Sequence, residues 1–446
     1  MNILVLGAGE IGFLLASKLI ESKHNVTIIE NQASLVQKVR EHLDANVIEG
    51  NAADYKMLKQ ANLGSFDVMA AVTNNDEVNM ISGLIAKKKG IETVIVRVKK
   101  QEYTAEDFPL NDFAYIPDLI IQPEMEVANA ITQLVRNASA TDYFEFEGGK
   151  VKIVGIRIDK NFKHAGVKLS QFGSWIKDMP FTILALIRAE HTVIPRGNNW
   201  IKTGDQIFFI CEKESLPKVL EFFGKDDSVV QNVMIIGGNL VGQYTAQNLE
   251  KEMNVKIIEN DYKKAKLLAQ NCQKSLIIQG DATEMNLLRQ EDIVEMDEFI
   301  AVSDDDEKNI ITSMLAQHLQ VPRTITLIKN VEYLPMAASI GLDAVVSKQV
   351  ITVNTIRQFI RRQRVASFTE IPGLDALILE LVTTTKSKIT KKPLMKIDFP
   401  DKAIVGAVVG KDGEVKIPTG ITQIQAGEKV VVFLSPEKQK ELEKLF

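Results

Sequence analysis

The sequence predicts an α/β protein with two doubly wound parallel sheets, each followed by a small α+β lobe, in a tandem duplication. Three observations carry this expectation. Short apolar runs alternate with helical patterns, a glycine-rich turn joins the first strand to the first helix, and the whole pattern recurs midway along the 446 residues.

The opening stretch, Met1–Glu30, sets the terms. Asn2–Leu6 is an apolar strand run, and Gly7, Gly9 and Gly12 follow at G-x-G-x-x-G spacing. A helical pattern starts at once through Ile11, Leu14, Leu15 and Leu19, and a second apolar run, Val26–Ile29, ends on Glu30. Gly7 allows a tight turn, Gly9 lets a pyrophosphate approach the backbone, and Gly12 brings helix close to strand. From Gly7 through Ala8, Gly9, Glu10 and Ile11 to Gly12, the turn offers free N–H groups and a helix dipole to phosphates. Glu30 is placed to accept hydrogen bonds from ribose hydroxyls and to repel a 2′-phosphate. This favours NAD(H) or an adenine nucleotide such as ATP or ADP over NADP(H).

Apolar runs at Ala45–Ile48, Val68–Val72, Thr93–Val98 and Leu119–Ile121 complete a six-stranded parallel sheet, with a helix from about Glu124 to Asn137. The pattern then changes. Asp142–Phe146, Lys150–Ile158, Phe181–Arg188 and Gln206–Ile210 read as strands, with helices near Val167–Lys177 and Leu216–Phe223. This small lobe ends at the polar junction Gly224-Lys225-Asp226-Asp227-Ser228.

The arrangement then starts again. Gly237 and Gly242 stand 230 positions after Gly7 and Gly12, and Glu259 ends VKIIE as Glu30 ends VTIIE. QGDATE (Gln279–Glu284) answers EGNAAD (Glu49–Asp54), which sets Asp281 against Asn51 as members of the candidate site. AVSDDDEKNI (Ala301–Ile310) answers AVTNNDEVNM (Ala71–Met80). Domains are expected at residues 1–138, 139–227, 228–362 and 363–446. Within Gly237-Gly238-Asn239-Leu240-Val241-Gly242, Asn239 replaces the middle glycine, and its side chain crowds a pyrophosphate. Arg97 is expected to give way to Lys329 or a neighbour, a point charge instead of a planar fork. Two nucleotide sites of unequal quality follow, the N-terminal one stronger.

A net charge of −5 argues against nucleic acid as the main partner. Cys211 and Cys272 match no metal or redox spacing and read as buried apolar residues in a reducing compartment. His24, His42, His164, His191 and His318 form no metal-binding cluster, and no metal site is expected. No window approaches the roughly 20 apolar residues of a membrane helix. A cytosolic protein is expected, without direct membrane insertion.

ILVLGAGEIG (Ile3–Gly12), AVTNNDEVNM, FIAVSDDDEKNI (Phe299–Ile310), IKTGDQIFFI (Ile201–Ile210) and AIVGAVV (Ala403–Val409), in tandem, resemble the TrkA family of potassium-uptake regulators. That family carries two RCK (KTN) units per chain, each a Rossmann lobe followed by a smaller C-terminal lobe. The resemblance implies a cytoplasmic ring beneath a membrane-embedded K⁺-translocating subunit of the TrkH/TrkG type. Nucleotide occupancy would open or close the pore. It places the nucleotide at Gly7 to Ile11, Glu30, Thr73, Asn74 and Arg97, and in the second half at Gly237 to Val241 and Glu259. The resemblance makes the helices at Glu124–Asn137 and Ile351–Arg361 candidates for crossing between lobes, and four chains would supply eight lobes, a closed homo-tetrameric ring.

Two local alternatives remain. Arg97 is either a phosphate contact or one arm of a surface ion pair. The run Asp304-Asp305-Asp306-Glu307 is either a cation site or a solvated helix start whose acids suit the dipole. The competing function is a NAD-dependent oxidoreductase. It would need a proton donor or acceptor beside the hydride site, and the sequence offers no His–Asp or Cys-nucleophile arrangement.

Overall fold

The structure is a computed structural model that describes residues 1–174, 179–188, 191–225, 229–361, 367–370 and 376–446. In the first quarter of the chain, β1 (Asn2–Leu6), α1 (Glu10–Glu21), β2 (Asn25–Glu30), α2 (Ala33–His42), β3 (Asn46–Glu49) and α3 (Tyr55–Gln60) come first. They are followed by β4 (Val68–Ala71), α4 (Asp76–Lys88), β5 (Thr93–Arg97), β6 (Leu119–Ile121) and α5 (Pro123–Arg136). The first small lobe holds β7 (Asp142–Phe146), β8 (Val151–Arg157), β9 (Phe181–Arg188), β10 (His191–Val193), β11 (Gln206–Glu212) and α6 (Leu216–Phe222).

The second half repeats this. Its sheet elements open with β12 (Asn232–Ile236), α7 (Leu240–Leu249), β13 (Asn254–Glu259), α8 (Tyr262–Asn271), β14 (Leu276–Gln279) and α9 (Met285–Gln290). They close with β15 (Glu298–Ala301), α10 (Asp306–His318), β16 (Arg323–Leu327), α11 (Leu334–Ser339), β17 (Ala344–Val346) and α12 (Lys348–Arg361). The last lobe holds β18 (Ser367–Glu370), β19 (Leu377–Val382), β20 (Ala403–Val409), β21 (Val415–Lys416), β22 (Lys429–Leu434) and α13 (Gln439–Glu443).

The two large sheets have the same parallel order, β3-β2-β1-β4-β5-β6 and β14-β13-β12-β15-β16-β17. The order reverses beside β1 and again beside β12, so each sheet has its switch point where the glycine turn follows the strand. The small lobes are antiparallel, β10-β9-β11-β8-β7 and β18-β19-β22-β20-β21.

The chain forms two compact units, residues 1–128 with 347–360 and residues 129–346 with 361–446. In the first, alternate residues of the sheet go to opposite faces, as the strand period requires. Leu4, Leu6, Met69 and Val96 lie in one core. Ile3, Val5, Ile28 and Val68 lie in the other, packed on Leu15 and Leu19 of α1 and on Val353, Ile356 and Ile360 of α12. A helix from far along the sequence therefore completes the first sheet's cover.

In the second unit the end of α5 meets the second sheet through polar groups. Arg323 donates to the carbonyls of Leu134 (2.9 Å) and Ala140, and to Glu298 Oε2 at 3.2 Å. Arg136 reaches Glu252 at 2.9 Å. The two small sheets share a core in which Ile153, Phe208 and Ile210 join Ile378, Val431 and Phe433.

The strands stand within a residue or two of their expected bounds, and β10 is an addition. The helix expected near Val167–Lys177 is instead a 3₁₀ segment, Leu169–Ser174, and residues 175–177 lie outside the described residues. Gly224 turns with φ +73°, as a left-handed turn favours. The rest of the expected junction, 226–228, and the expected boundary at 362/363 also lie outside the described residues. Cys211 and Cys272 are buried, and burial pushes their thiols up to about 12 and about 11. Among the described residues no helix is long and apolar enough to cross a membrane.

Candidate functional site

The first turn is built on three glycines that do different work. Gly7 has φ +97°, and a Cβ there would stand 3.0 Å from Thr73 Cα, so it needs both the left-handed backbone and the space. A Cβ on Gly12 would lie 2.0 Å from the Gly7 carbonyl oxygen. Gly9 is different. As N-cap of α1 it has an ordinary φ of −63°, no side chain caps the helix, and a Cβ would meet nothing within 4 Å. The backbone does not require glycine there, so the space in front of Gly9 is what a side chain would remove.

Glu30, at the end of β2, is 7% exposed and fixed by backbone donors. Ala8 N–H donates to Oε2 at 2.6 Å, while Asn31 and Gln32 N–H donate to Oε1 at 2.7 and 2.8 Å. Its carboxylate is thereby held at the mouth of the turn with acceptor capacity remaining on Oε2. Asn51, after β3, is exposed and bonds its own loop at Ala53 N–H, 2.9 Å. Glu10, exposed at the start of α1, accepts from Gln349 Nε2 at 3.0 Å.

Between β4 and α4, Thr73 is held by Asn79, whose Oδ1 accepts from Thr73 N–H (3.0 Å) and Oγ1 (2.7 Å). Asn79 Nδ2 donates in turn to the Thr73 and Arg97 carbonyls at 3.0 and 2.8 Å. Asp76 accepts from the N–H groups of Lys99 and Lys100, both at 3.0 Å. These two buried polar residues tie the loop to the end of β5, and sequence reasoning did not single them out. The signal was available: Asp306 and Asn309 repeat them 230 positions on, identically.

Arg97 is 6% exposed, which sets aside the surface ion pair. Nη1 donates to Asn74 Oδ1 at 3.1 Å, and Nη2 stands 3.9 Å from Glu124 Oε1. Arg97 Nε and Glu124 Oε2 are buried without a hydrogen-bond partner among the described residues. A buried guanidinium with an unmet donor favours an added acceptor.

The second turn repeats the backbone and alters the side chains. Gly237 has φ +108°, and a Cβ on Gly242 would lie 2.0 Å from the Gly237 oxygen. Gly238 N–H donates to Glu259 Oε2 at 2.6 Å, as Ala8 does to Glu30. Asn239 caps α7, its Oδ1 accepting from Gly242 N–H at 3.1 Å, while Nδ2 donates to the Val302 carbonyl at 2.6 Å. Leu240 is exposed and Val241 buried at the helix start. The crowding expected of Asn239 thus takes the form of an internal cap.

Position 97 corresponds to Leu327, since Asn309 Nδ2 donates to the Leu327 carbonyl as Asn79 does to that of Arg97. The expected Lys329 is instead the counterpart of Lys99, whose N–H donates to the equivalent aspartate. The amine of Lys329 reaches over to the Asp304 carbonyl at 2.5 Å, so a cation does serve this mouth by another route. In the acidic run, Asp305 caps α10 at Lys308 N–H (2.8 Å) and Asp306 accepts from Lys329 and Asn330 N–H. Those are helix-start and loop-tying roles, as for Asn75 and Asp76.

Two glycine turns on two doubly wound sheets, each sheet followed by an antiparallel lobe, define a tandem RCK-type protein. The TrkA-N domain model matches residues 3–108 and 233–348, and the TrkA-C domain model matches residues 378–446. The chain is 32% identical over 450 residues to the Trk system potassium uptake protein TrkA homolog of Archaeoglobus fulgidus, covering all of both chains. It is 30% identical over 452 residues to the Trk system potassium uptake protein TrkA of Haemophilus influenzae, covering 100% of this chain and 98% of that one. The chain belongs to the TrkA family. Its fold is similar to that of the GsuK channel bound to NAD, with a TM-score of 0.64 at 17% identity over 100% of this chain and 78% of that one.

Proposed function

We propose that the chain is the cytoplasmic regulatory subunit of a potassium-uptake system and senses NAD(H), with ADP and ATP as competing ligands. The observation that carries this reading is the first turn, where Gly9 leaves open space beside a fixed Glu30 carboxylate. Gly7 to Gly12 would hold the pyrophosphate on backbone N–H groups and Glu30 the adenosine ribose. Thr73 and Asn74 flank the ligand beyond β4, Asn51 borders the ribose side, and Arg97 supplies a buried cation. Gly237 to Gly242, Glu259 and Asp281 are the counterpart positions in the second lobe.

Family relatives carry potassium-uptake names and not enzyme names, and the role asks for binding without acid–base chemistry. A ligand shifts a two-state assembly only by its differential affinity for the states. NAD⁺, NADH, ADP and ATP share the adenosine end and differ beyond the second phosphate, where Arg97 and the Thr73–Asp76 loop stand. The partner is a membrane potassium-translocating subunit of the TrkH/TrkG type. Four chains would give a closed ring of eight lobes on the inner face of the membrane.

Calorimetric titration of the purified chain with NAD⁺, NADH, ADP and ATP tests this. Unequal affinities are expected, together with a loss of about tenfold or more for Glu30→Arg, roughly 1.4 kcal/mol. Binding by none of the four would sink the sensing role, and unchanged affinity in Glu30→Arg would remove the ribose assignment.

A further inference from the structure

Corresponding positions in the two lobes differ in one consistent direction. Where the first has Gly9, Asn51 and Asn74, the second has Asn239, Asp281 and Asp304. Where the first has Leu35 and Val78, the second has Lys264 and Lys308. All the added groups are engaged with one another. Asn239 Nδ2 reaches Asp304 Oδ1 at 3.2 Å. Asp304 also has Lys329 Nζ at 3.3 Å and Lys264 Nζ at 3.6 Å from its carboxylate. Asp281 accepts from Lys308 Nζ at 2.9 Å. Burial pulls the Asp304 carboxyl upward, but Lys329 and Lys264 hold it below the usual carboxylate range. Lys308 and the Thr283 N–H hold Asp281 at about 2. Both are anions at neutral pH.

We infer that the second lobe carries its own anion: Asp304, tethered to the turn by Asn239 and paired with Lys264 and Lys329, stands in for a ligand's phosphate, so the chain takes up one nucleotide and not two. The inference rests on the nucleotide reading of the first lobe. An anion near a helix start is stabilised by the dipole, and here the protein provides it. An entering diphosphate would meet two like charges, Asp281 and Asp304, and would displace the Asn239 cap from Gly242 N–H. The lysines do not reverse this, because each already has a carboxylate partner and gains only the difference on exchange.

Calorimetry on the full chain, with ADP and NAD⁺ as probes, decides the matter by stoichiometry. The wild type is expected to bind one equivalent, and Glu30→Arg to bind that equivalent about tenfold or more weakly. Asn239→Gly combined with Asp304→Asn, which restores the first-lobe residues, is expected to bind two. Two equivalents in the wild type, with one unweakened by Glu30→Arg, would overturn the self-liganded lobe and leave the first site standing. None in the wild type would overturn the nucleotide reading and this inference with it. A folded double variant still binding one equivalent would show that these two residues do not close the lobe. If the double variant does not fold, the first two measurements decide alone.

Discussion

The first Rossmann lobe and the second share strand order, the glycine turn and a buried Asp–Asn pair that ties loop to strand, yet each is finished differently. In its own unit the first sheet is covered by Val353, Ile356 and Ile360, on a helix that also bonds Glu10 through Gln349 and Ser22 through Arg357. The second is covered where Arg323 binds two carbonyls and the fully buried Glu298. Val68 and Thr93 occupy those two strand positions in the first lobe, with no charge to satisfy. At the mouth the contrast reverses: the first lobe leaves a buried Arg97 donor unmet, while the second pairs its charges internally. A duplicated scaffold has diverged at both ends of the same strands, becoming polar beneath one sheet and self-satisfied above it.

The sharpest way to break this comparison is to remove the buried cation. Arg323→Ala leaves Glu298 unpaired and two carbonyls unsatisfied, which should cost about 3–5 kcal/mol. Amide exchange in β15 and β16 would read it locally. Thr93→Ala, the counterpart in β5, should cost only about 1 kcal/mol. Equal losses would mean that the polar cover does no more than the apolar one.

The next largest effect is a pH dependence centred on Glu298 in the second unit. Burial pushes Glu298 up to about 7, against the pull of Arg323, and burial likewise pushes Asp142 up to about 6. Asp297 and Asp343 add to the shift at Glu298, and Thr141 and Gln206 oppose it at Asp142. The sign follows directly. Between about pH 4.5 and pH 7 the folded state holds a proton on Glu298 that the unfolded state has released, so stability falls as pH rises through that window. The contribution from Glu298 is about 3 kcal/mol, and Glu298→Gln should remove it while keeping an acceptor for Arg323. Exchange protection of β15 and β16 measured from pH 5 to pH 7.5 should lose most of its slope. A slope unchanged in the variant would place the titration elsewhere.

Much of this was legible in the sequence, for identifiable reasons. Parallel strands buried on both faces read as continuous apolar runs, so all six strands of the first sheet were visible, and the offset of 230 carried them into the second. The Gly7–Gly12 turn and Glu30 were visible because spacing and context coincide. The helices at Glu124–Asn137 and Ile351–Arg361 were expected to cross between lobes, but which sheet each covers was not legible. The helices now seen as α5 and α12 are amphipathic on any partner, and nothing in their pattern says which sheet they cover. Arg323 at a strand start resembles an ordinary surface charge, and its burial comes from residues more than 180 positions away. Asp76 and Asn79 were hidden in a polar helix start, where acids and amides are normally solvated. β10 is three residues long and flanked by polar turns, too short for alternation to register.

The smallest effect isolates the turn itself. Gly9 has an ordinary φ and open space for a Cβ, so Gly9→Ala should leave stability within about 0.5 kcal/mol. The same methyl occupies the approach of a pyrophosphate to the backbone, and nucleotide affinity should fall about 10–100-fold, roughly 1.4–2.8 kcal/mol. Asn239→Gly should do the opposite. It removes the cap on Gly242 and the bond to Val302, costing up to about 1 kcal/mol of stability, while affinity at the first lobe is unchanged. Thermal unfolding and titration of the two variants side by side give the full pattern. If Gly9→Ala lowered stability and spared affinity, the open space at the first turn would be incidental. The first lobe would then be as self-contained as the second.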